Sequence, residues 1–179
     1  MRYLNHFTDA VDWLTEQIGQ TLKWLVLFSS LISAGVAVVR YGLHTGSNAW
    51  LEIQWYMFAA MFLIGAGYAL KYDEHVRVDA LFSRMSPTTQ AWVDVFGGIL
   101  FLMPTAIIIG WLGIPMVVNS WRVHEYSNDP GGLLRWPVKI MIPIGFALLA
   151  LQGLSDIIKK YQIARGWRTP GKAYERPVQ

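Results

Sequence analysis

The chain has 179 residues, of which 54% are hydrophobic and 15% are charged, and its mean hydropathy is +0.32. Soluble domains average roughly 45–50% apolar and 25% charged residues, so this composition excludes an ordinary soluble enzyme and indicates an integral membrane protein. The absence of cysteine excludes disulfides, thiolate nucleophiles and thiolate-bound metals. A net charge of +3 would suit nucleic acid, but the basic residues follow membrane topology instead, as shown below.

The first twenty residues have an amphipathic pattern. Apolar residues recur at three- and four-residue steps, at Leu4, Phe7, Val11, Leu14 and Ile18, while acidic residues fall on other faces. This spacing predicts an amphipathic helix over 1–20 that lies on the membrane surface or on a partner. Interfacial anchors are usually rich in Lys and Arg, so its acidity favours a protein contact. A basic leader is missing, so we do not expect a cleavable signal peptide.

Four apolar runs follow, at 24–39, 53–70, 95–121 and 140–155, and none contains Asp, Glu, Lys, Arg or His. With their flanks they predict transmembrane helices over 22–42, 51–70, 92–120 and 137–158, within one all-α membrane domain over 1–179. Pumps and proton relays keep titratable groups at bilayer depth. Their absence here argues against transport by this chain alone.

Local signals refine the third helix and the end of the chain. Ser86 followed by Pro87 predicts a helix start, because serine caps helices and proline suits their first turn. Pro104 and Pro115 are the expected kink points in this long helix. The segment 167–179 contains two prolines and a glycine and is predicted to be a flexible tail.

The distribution of basic residues predicts the orientation. Eleven of the 15 Lys and Arg residues fall on the side of the chain ends and the 71–94 loop, and four fall on the other side. The positive-inside rule therefore places both ends in the cytoplasm. Tryptophans at the predicted boundaries form two aromatic belts, an inner one with Trp24 and Trp92 and an outer one with Trp50, Trp55, Trp121 and Trp136.

Small residues mark predicted helix-packing faces. They form a stripe at Ser29, Ser33 and Ala37, and a patch that includes Gly65 and Gly67. Small side chains let membrane helices approach closely and gain dispersion contacts. Pro143 and Gly145 could open a broken-helix ion site built from carbonyls, but a kink that packs on a neighbouring helix is the simpler interpretation.

The titratable residues give few candidates for chemistry. His6, His44, His75 and His124 lie outside the apolar runs, so they are poor axial haem ligands. Glu52, at the outer start of the second helix, could bind a cation, pair with Arg40 or a partner subunit, or simply solvate its own charge at the interface. The sequence predicts no catalytic residue, cofactor or metal site. A membrane anchor for a haem or quinone complex remains the alternative function.

Several stretches resemble the small membrane subunit of tripartite ATP-independent periplasmic (TRAP) transporters, the DctQ-like family. The first stretch runs from Asn48-Ala-Trp-Leu-Glu-Ile-Gln-Trp55 through Gly65-Ala-Gly-Tyr68 to Asp73-Glu-His-Val-Arg-Val-Asp79. The second comprises Glu125-Tyr-Ser-Asn-Asp-Pro-Gly-Gly-Leu133, Arg135-Trp-Pro137 and Ile142-Pro-Ile-Gly-Phe-Ala-Leu-Leu149. The resemblance covers roughly residues 20 to 160.

This resemblance implies an accessory permease subunit in the bacterial inner membrane. In such systems a periplasmic binding protein delivers an organic anion of the carboxylate or sulfonate class, and a large membrane subunit carries it with sodium by an elevator motion. The small subunit would support the large one, contact lipid and help to dock the binding protein, with no nucleic-acid partner. The docking residues we predict in the outer loops are His44, Asn48, Glu52, Arg122, His124, Glu125, Asn128, Asp129 and Arg135.

Overall fold

The computed structural model describes residues 2–72 and 85–169. They form four helices, α1 (Arg2–Gly42), α2 (Asn48–Lys71), α3 (Pro87–Arg122) and α4 (Trp136–Ala164), each long and apolar enough to cross a membrane. Within these two ranges, extended pairing is confined to one bridge between Tyr126 and Leu134. The prediction of an all-α protein with four spanning-length helices is therefore confirmed. The quoted segment 73–79 and the tail from residue 170 onward lie outside the described residues.

The α1 helix includes both the predicted amphipathic segment, from Arg2 onward, and the predicted span 22–42. It is continuous over 41 residues, or about 60 Å, because neither proline nor a glycine pair interrupts it. Its buried face differs from the predicted apolar face: Thr8, Val11 and Thr15 are buried, whereas Leu4 and Leu14 are exposed. Contact with α4, rather than apolar content alone, determines which face of this segment is covered.

The α3 helix begins where the sequence predicts and changes geometry near its first proline. Ser86 caps it, its hydroxyl accepting a hydrogen bond from the Thr89 N–H at 3.2 Å. A π-helical segment, Gly98–Leu102, joins Pro87–Gly97 to Met103–Arg122. Pro104 has no N–H for the carbonyl of Leu100, and the wider turn ahead of it accommodates that loss.

The α4 helix is interrupted once and then ends in a defined cap. Its first turn, Trp136–Lys139, is separated from Met141–Ala164 at Ile140. Pro143 accounts for the interruption, since it cannot donate to the carbonyl of Lys139. The helix ends in a Schellman motif, in which Trp167 N–H donates to Gln162 O and left-handed Gly166 donates to Ile163 O.

The α4 helix contacts each of the other three helices, and glycines mark its closest approaches. A Cβ on Gly145 would lie 2.5 Å from the Leu63 carbonyl oxygen, and one on Gly67 would lie 3.5 Å from Leu148 O. On α1, Ser29 is buried, but Ser33 and Ala37 are exposed. Four-residue steps advance by about 40° around a helix, so that stripe turns away from α2. Gly65 faces Leu22, and Pro143 lies against Gly113.

Polar side chains fill much of the interior of the bundle, and large apolar ones cover its surface. The buried polar residues are Thr8, Thr15, Ser29, Glu52, Ser120, Gln152, Ser155 and Gln162. Exposed apolar side chains include Phe62 and Phe101 in the middle of α2 and α3. Soluble proteins show the reverse distribution. This surface is suited to lipid and to other membrane helices.

Candidate functional site

The loop between α3 and α4, residues 123–135, is an ordered hairpin. Ser127 N–H donates to Leu133 O at 2.9 Å, and Arg135 N–H donates to Glu125 O at 2.8 Å. Between these pairs, Gly132 N–H donates to Asp129 O, and Gly131 has φ +73°. Proline followed by a left-handed glycine is the arrangement of a type II turn. The loop therefore has a fixed tip at Pro130 and Gly131.

Glu52 on α2 fastens this loop to the bundle. Its carboxylate accepts a hydrogen bond from the Ser127 hydroxyl through Oε1 and one from Leu133 N–H, at 2.6 Å, through Oε2. The Arg135 guanidinium lies 3.6 Å from Oε1, and Glu52 is only 3% exposed. We call Glu52, Ser127, Leu133 and Arg135 the Glu52 clamp. It joins both strands of the hairpin to one buried carboxylate.

Further contacts secure the loop around the Glu52 clamp. Tyr56 OH donates to Leu134 O at 2.5 Å, and Asn48 Nδ2 donates to Pro130 O at 3.0 Å. The Arg135 guanidinium also lies 5.0 Å from the ring centroid of Trp55, within range of a cation–π interaction.

Lys139 and Glu125 form an ion pair beside the hairpin. The hydrogen bond from Lys139 holds the pKa of the Glu125 carboxyl below its ordinary value of 4.5, and Ser120 contributes in the same direction. Glu125 is therefore charged at neutral pH.

The nine predicted docking residues divide into two groups in the structure. Glu52, Arg135, Glu125 and Asn48 are buried or half-buried and hold the loop in place. The exposed residues are His44, Arg122, His124, Asn128 and Asp129. His44 and His124 follow the ends of α1 and α3 with φ of 51° and 48°, a left-handed backbone that is uncommon outside glycine.

The structure adds exposed apolar residues that the sequence reasoning missed. Val123 and Tyr126 are each 62% exposed beside the polar loop tip, and Leu43 is exposed after α1. Tyrosine is enriched among residues that dominate binding energy in protein interfaces. The sequence did contain a signal for Tyr126. In an extended segment, neighbouring side chains point to opposite sides, so Tyr126 faces away from Glu125 and Ser127. The resulting surface combines apolar anchors with a polar rim.

The opposite end of the bundle contains a second polar arrangement. Asp12 on α1 accepts hydrogen bonds from Gln152 Nε2 at 3.0 Å and from Lys159 Nζ at 2.9 Å, and Ser155 lies 3.3 Å away. Thr15 donates to Gln152 Oε1 at 2.7 Å. We call Asp12, Thr15, Gln152, Ser155 and Lys159 the α1–α4 polar cluster. It fixes the first half of α1 against α4.

Glu16 links the same end of α1 to α2. Lys71 Nζ and Tyr72 OH each donate to Glu16 Oε2 at 2.6 Å. The hydrogen bond with Glu16 raises the pKa of the Tyr72 phenol above its ordinary value of 10. A neighbouring ion pair joins Lys160 on α4 to Asp94 on α3 at 3.1 Å. All four helices thus share ionic contacts at this end.

Of the tryptophans assigned to the aromatic belts, Trp50, Trp55, Trp121 and Trp136 lie near the loop end of the bundle, Trp92 lies near the start of α3, and Trp24 lies near the middle of α1. Trp24, Trp50, Trp55 and Trp121 are exposed. Trp136 packs edge-on against Trp121, with centroids 4.5 Å apart, and Trp92 contacts Phe96 and Tyr161. In residues 2–72 and 85–169, no three His, Asp or Glu side chains come together in a way that could hold a metal ion. The described site is an exposed surface on a fastened loop.

Four apolar helices with polar contacts between them define a multi-pass helical membrane protein. Comparison with known families narrows this class, because residues 29–162 match the tripartite ATP-independent periplasmic transporters, DctQ component. The chain belongs to this family, which consists of transporter components rather than enzymes. The redox-anchor alternative therefore has no support.

One curated relative agrees with this assignment. The chain is 30% identical over 158 residues to a protein of Haemophilus influenzae provisionally named a TRAP transporter small permease protein. The alignment covers 88% of this chain and 94% of that protein. No solved structure gives a significant match.

Proposed function

We propose that this chain is the scaffold subunit of a sodium-coupled, binding-protein-dependent secondary transporter for organic anions. Family membership supports a permease role. The observation that carries the scaffold role is the distribution of charge: the described ionic contacts cluster at the two ends of the bundle. At one end they join helix to helix, and at the other they fasten the 123–135 loop to α2 and α4. A chain built this way is suited to hold a moving partner at constant depth. Substrate and sodium would bind in the large membrane subunit.

The proposed orientation places the 123–135 loop in the periplasm and both chain ends in the cytoplasm of a bacterial inner-membrane protein. The positive-inside bias supports it. The N-terminal part of α1 would then lie at the cytoplasmic face, with Asp12 turned toward α4 and Glu16 toward α2. Its exposed side chains, including Tyr3 and Trp13, are available to lipid headgroups or to the large subunit.

The 123–135 loop would help to dock the periplasmic binding protein. Its exposed polar residues His124, Asn128 and Asp129, together with Arg122 at the end of α3, are close in sequence to the exposed apolar Val123 and Tyr126. Transient interfaces of this kind combine a few apolar anchors with a wet polar rim. The substrate would reach the large subunit without binding to this chain.

Reconstitution in liposomes tests the scaffold role. Vesicles with this chain alone should show no sodium-driven uptake of an organic acid, whereas vesicles with both membrane subunits and the binding protein should accumulate it. Accumulation by this chain alone, or full transport by the large subunit without it, would contradict the proposal.

Docking is tested separately by measuring binding of the binding protein to the two-subunit complex in nanodiscs. Tyr126→Ala should weaken binding by roughly tenfold, the effect of losing about 1.4 kcal/mol at a well-packed anchor. Trp24→Ala, at an exposed position on the other half of the bundle, serves as the control and should leave binding unchanged. Equal affinities for all three proteins would remove the docking role.

A further inference from the structure

We infer that Glu52 is the positioning residue of the docking surface: its buried carboxylate holds the 123–135 loop in the conformation that receives the binding protein. The inference rests on the docking function proposed above. It also changes the role expected for Glu52, since a side chain that is 3% exposed cannot itself contact a partner in this conformation.

The geometry requires a carboxylate rather than any polar group. The two oxygens accept two hydrogen bonds from the loop, from the Ser127 hydroxyl at Oε1 and from the Leu133 N–H at Oε2. The Arg135 guanidinium donates to Ser127 Oγ at 2.9 Å and forms an ion pair with Oε1 at 3.6 Å. A glutamine would present one acceptor oxygen, and its amide N–H groups would face a donor at the other position. An aspartate is one methylene shorter and would not reach the same donors.

The backbone of the loop is shaped around this carboxylate. A Cβ on Gly132 would lie 2.8 Å from Glu52 Oε1 and 2.4 Å from the Ser127 Cβ, so glycine allows the chain to pass against the acid. Ser127 and Leu133 stand on opposite strands of the hairpin and are themselves paired by a backbone hydrogen bond. One carboxylate therefore controls both the closure of the hairpin and its attachment to α2.

This arrangement has a kinetic consequence. A loop released from Glu52 samples many conformations, and its apparent affinity falls in proportion to the fraction that remains competent. The exposed contact residues would be unchanged, so the dissociation rate of a formed complex should stay nearly the same. A positioning role thus lowers the association rate, whereas loss of a direct contact raises the dissociation rate.

The experiment uses the two-subunit complex in nanodiscs and takes advantage of the cysteine-free chain. Asn128→Cys, at the exposed loop tip, carries a spin label whose mobility is measured without the binding protein. Glu52→Gln should increase the mobility of this label, and without the label it should lower the association rate of the binding protein by about tenfold with little change in dissociation. Ser127→Ala removes one donor and should give a smaller effect in the same direction.

Two matched controls separate the possible outcomes. Glu16→Gln removes a carboxylate that pairs with Lys71 at the other end of the bundle and should change neither measurement. Asp129→Asn changes the exposed tip and should affect dissociation without loosening the loop. Co-purification with the large subunit checks that each variant is assembled. If the Glu52→Gln chain does not assemble with the large subunit, Ser127→Ala provides the test.

An ordered label and an unchanged association rate in Glu52→Gln would overturn the inference. It would also be overturned if the loop loosens and association is unaffected while Tyr126→Ala still weakens binding. If neither Tyr126→Ala nor Asp129→Asn alters binding, the docking function itself is wrong, and the inference fails with it.

Discussion

At the scale of single residues, several charged side chains in the described part of the chain join one helix to another or fasten a loop to a helix. Asp12 lies outside the apolar face that the sequence pattern predicted for α1, and it accepts hydrogen bonds from two α4 side chains, Gln152 and Lys159. Glu52 lies at the start of a span and is buried under a loop. The sequence shows that such residues lie outside the apolar runs, but only the fold shows which hydrogen-bond donors contact them.

The Asp12 contacts predict a measurable loss of stability. Asp12→Asn should lower the free energy of unfolding by about 1 kcal/mol, the usual size of a polar contact between membrane helices, because Lys159 loses its ionic partner. Unfolding in mixed detergent micelles gives the value. Asp9→Asn, an exposed acid on the same helix, is the control, and equal stability of the two variants would contradict this role for Asp12.

The Glu125 ion pair predicts how the loop responds to acid. Because the pKa of this carboxyl is lower in the folded chain than its ordinary 4.5, its contribution is complete above that value and is lost as pH falls through the folded pKa. The mobility of a label at residue 128 should therefore rise below about pH 4.5. Glu125→Gln should reduce this rise, and an identical pH profile in that variant would exclude Glu125 as a source.

At the scale of elements, the sequence predicted which segments are helical better than it predicted where they end. Apolar runs identify spans, because each span must be apolar enough for lipid. They do not mark where α1 begins, because its first half is amphipathic and interrupts the apolar pattern with polar residues, although no proline or glycine pair breaks the helix between Arg2 and Gly42. The start of α3 was predictable, because Ser86 and Pro87 are local signals.

Close helix packing gives a prediction at this scale. Gly145→Ala should destabilise the bundle by about 1–3 kcal/mol, since its Cβ would lie 2.5 Å from the Leu63 carbonyl oxygen and the helices would have to separate. Gly35→Ala is the matched control, because a Cβ there has no heavy atom within 4 Å. Thermal unfolding of both variants in one detergent provides the comparison, and a Gly145→Ala protein as stable as Gly35→Ala would argue against tight contact.

At the scale of the whole molecule, the fold class and the family were accessible from sequence, whereas the candidate site was accessible only in part. The loop residues Asn128 and Asp129 are exposed, as expected of docking residues. The sequence did not show which of the predicted docking residues are exposed and which, such as Glu52, are buried and support the loop. That division depends on the distance between α2 and a loop more than seventy positions away in sequence, which no local pattern encodes.

Membrane orientation is testable with single cysteines. In spheroplasts, Asn128→Cys should react with a membrane-impermeant maleimide, and Asp9→Cys should react only after the membrane is permeabilised. Both positions are exposed, and the native chain contributes no background thiol. The reverse labelling pattern would invert the proposed topology.

The α1 helix is continuous from Arg2 to Gly42 and can serve as a rigid attachment point. At about 60 Å, this helix is roughly twice as long as the hydrocarbon layer is thick, so a helix of this length that crosses at the usual tilt of about 20° extends beyond the lipid tails. A soluble helical domain fused in frame ahead of it would inherit a fixed direction. Each added residue would swing that domain by about 100°, which offers a way to choose its angle as an orientation marker for electron microscopy of so small a subunit.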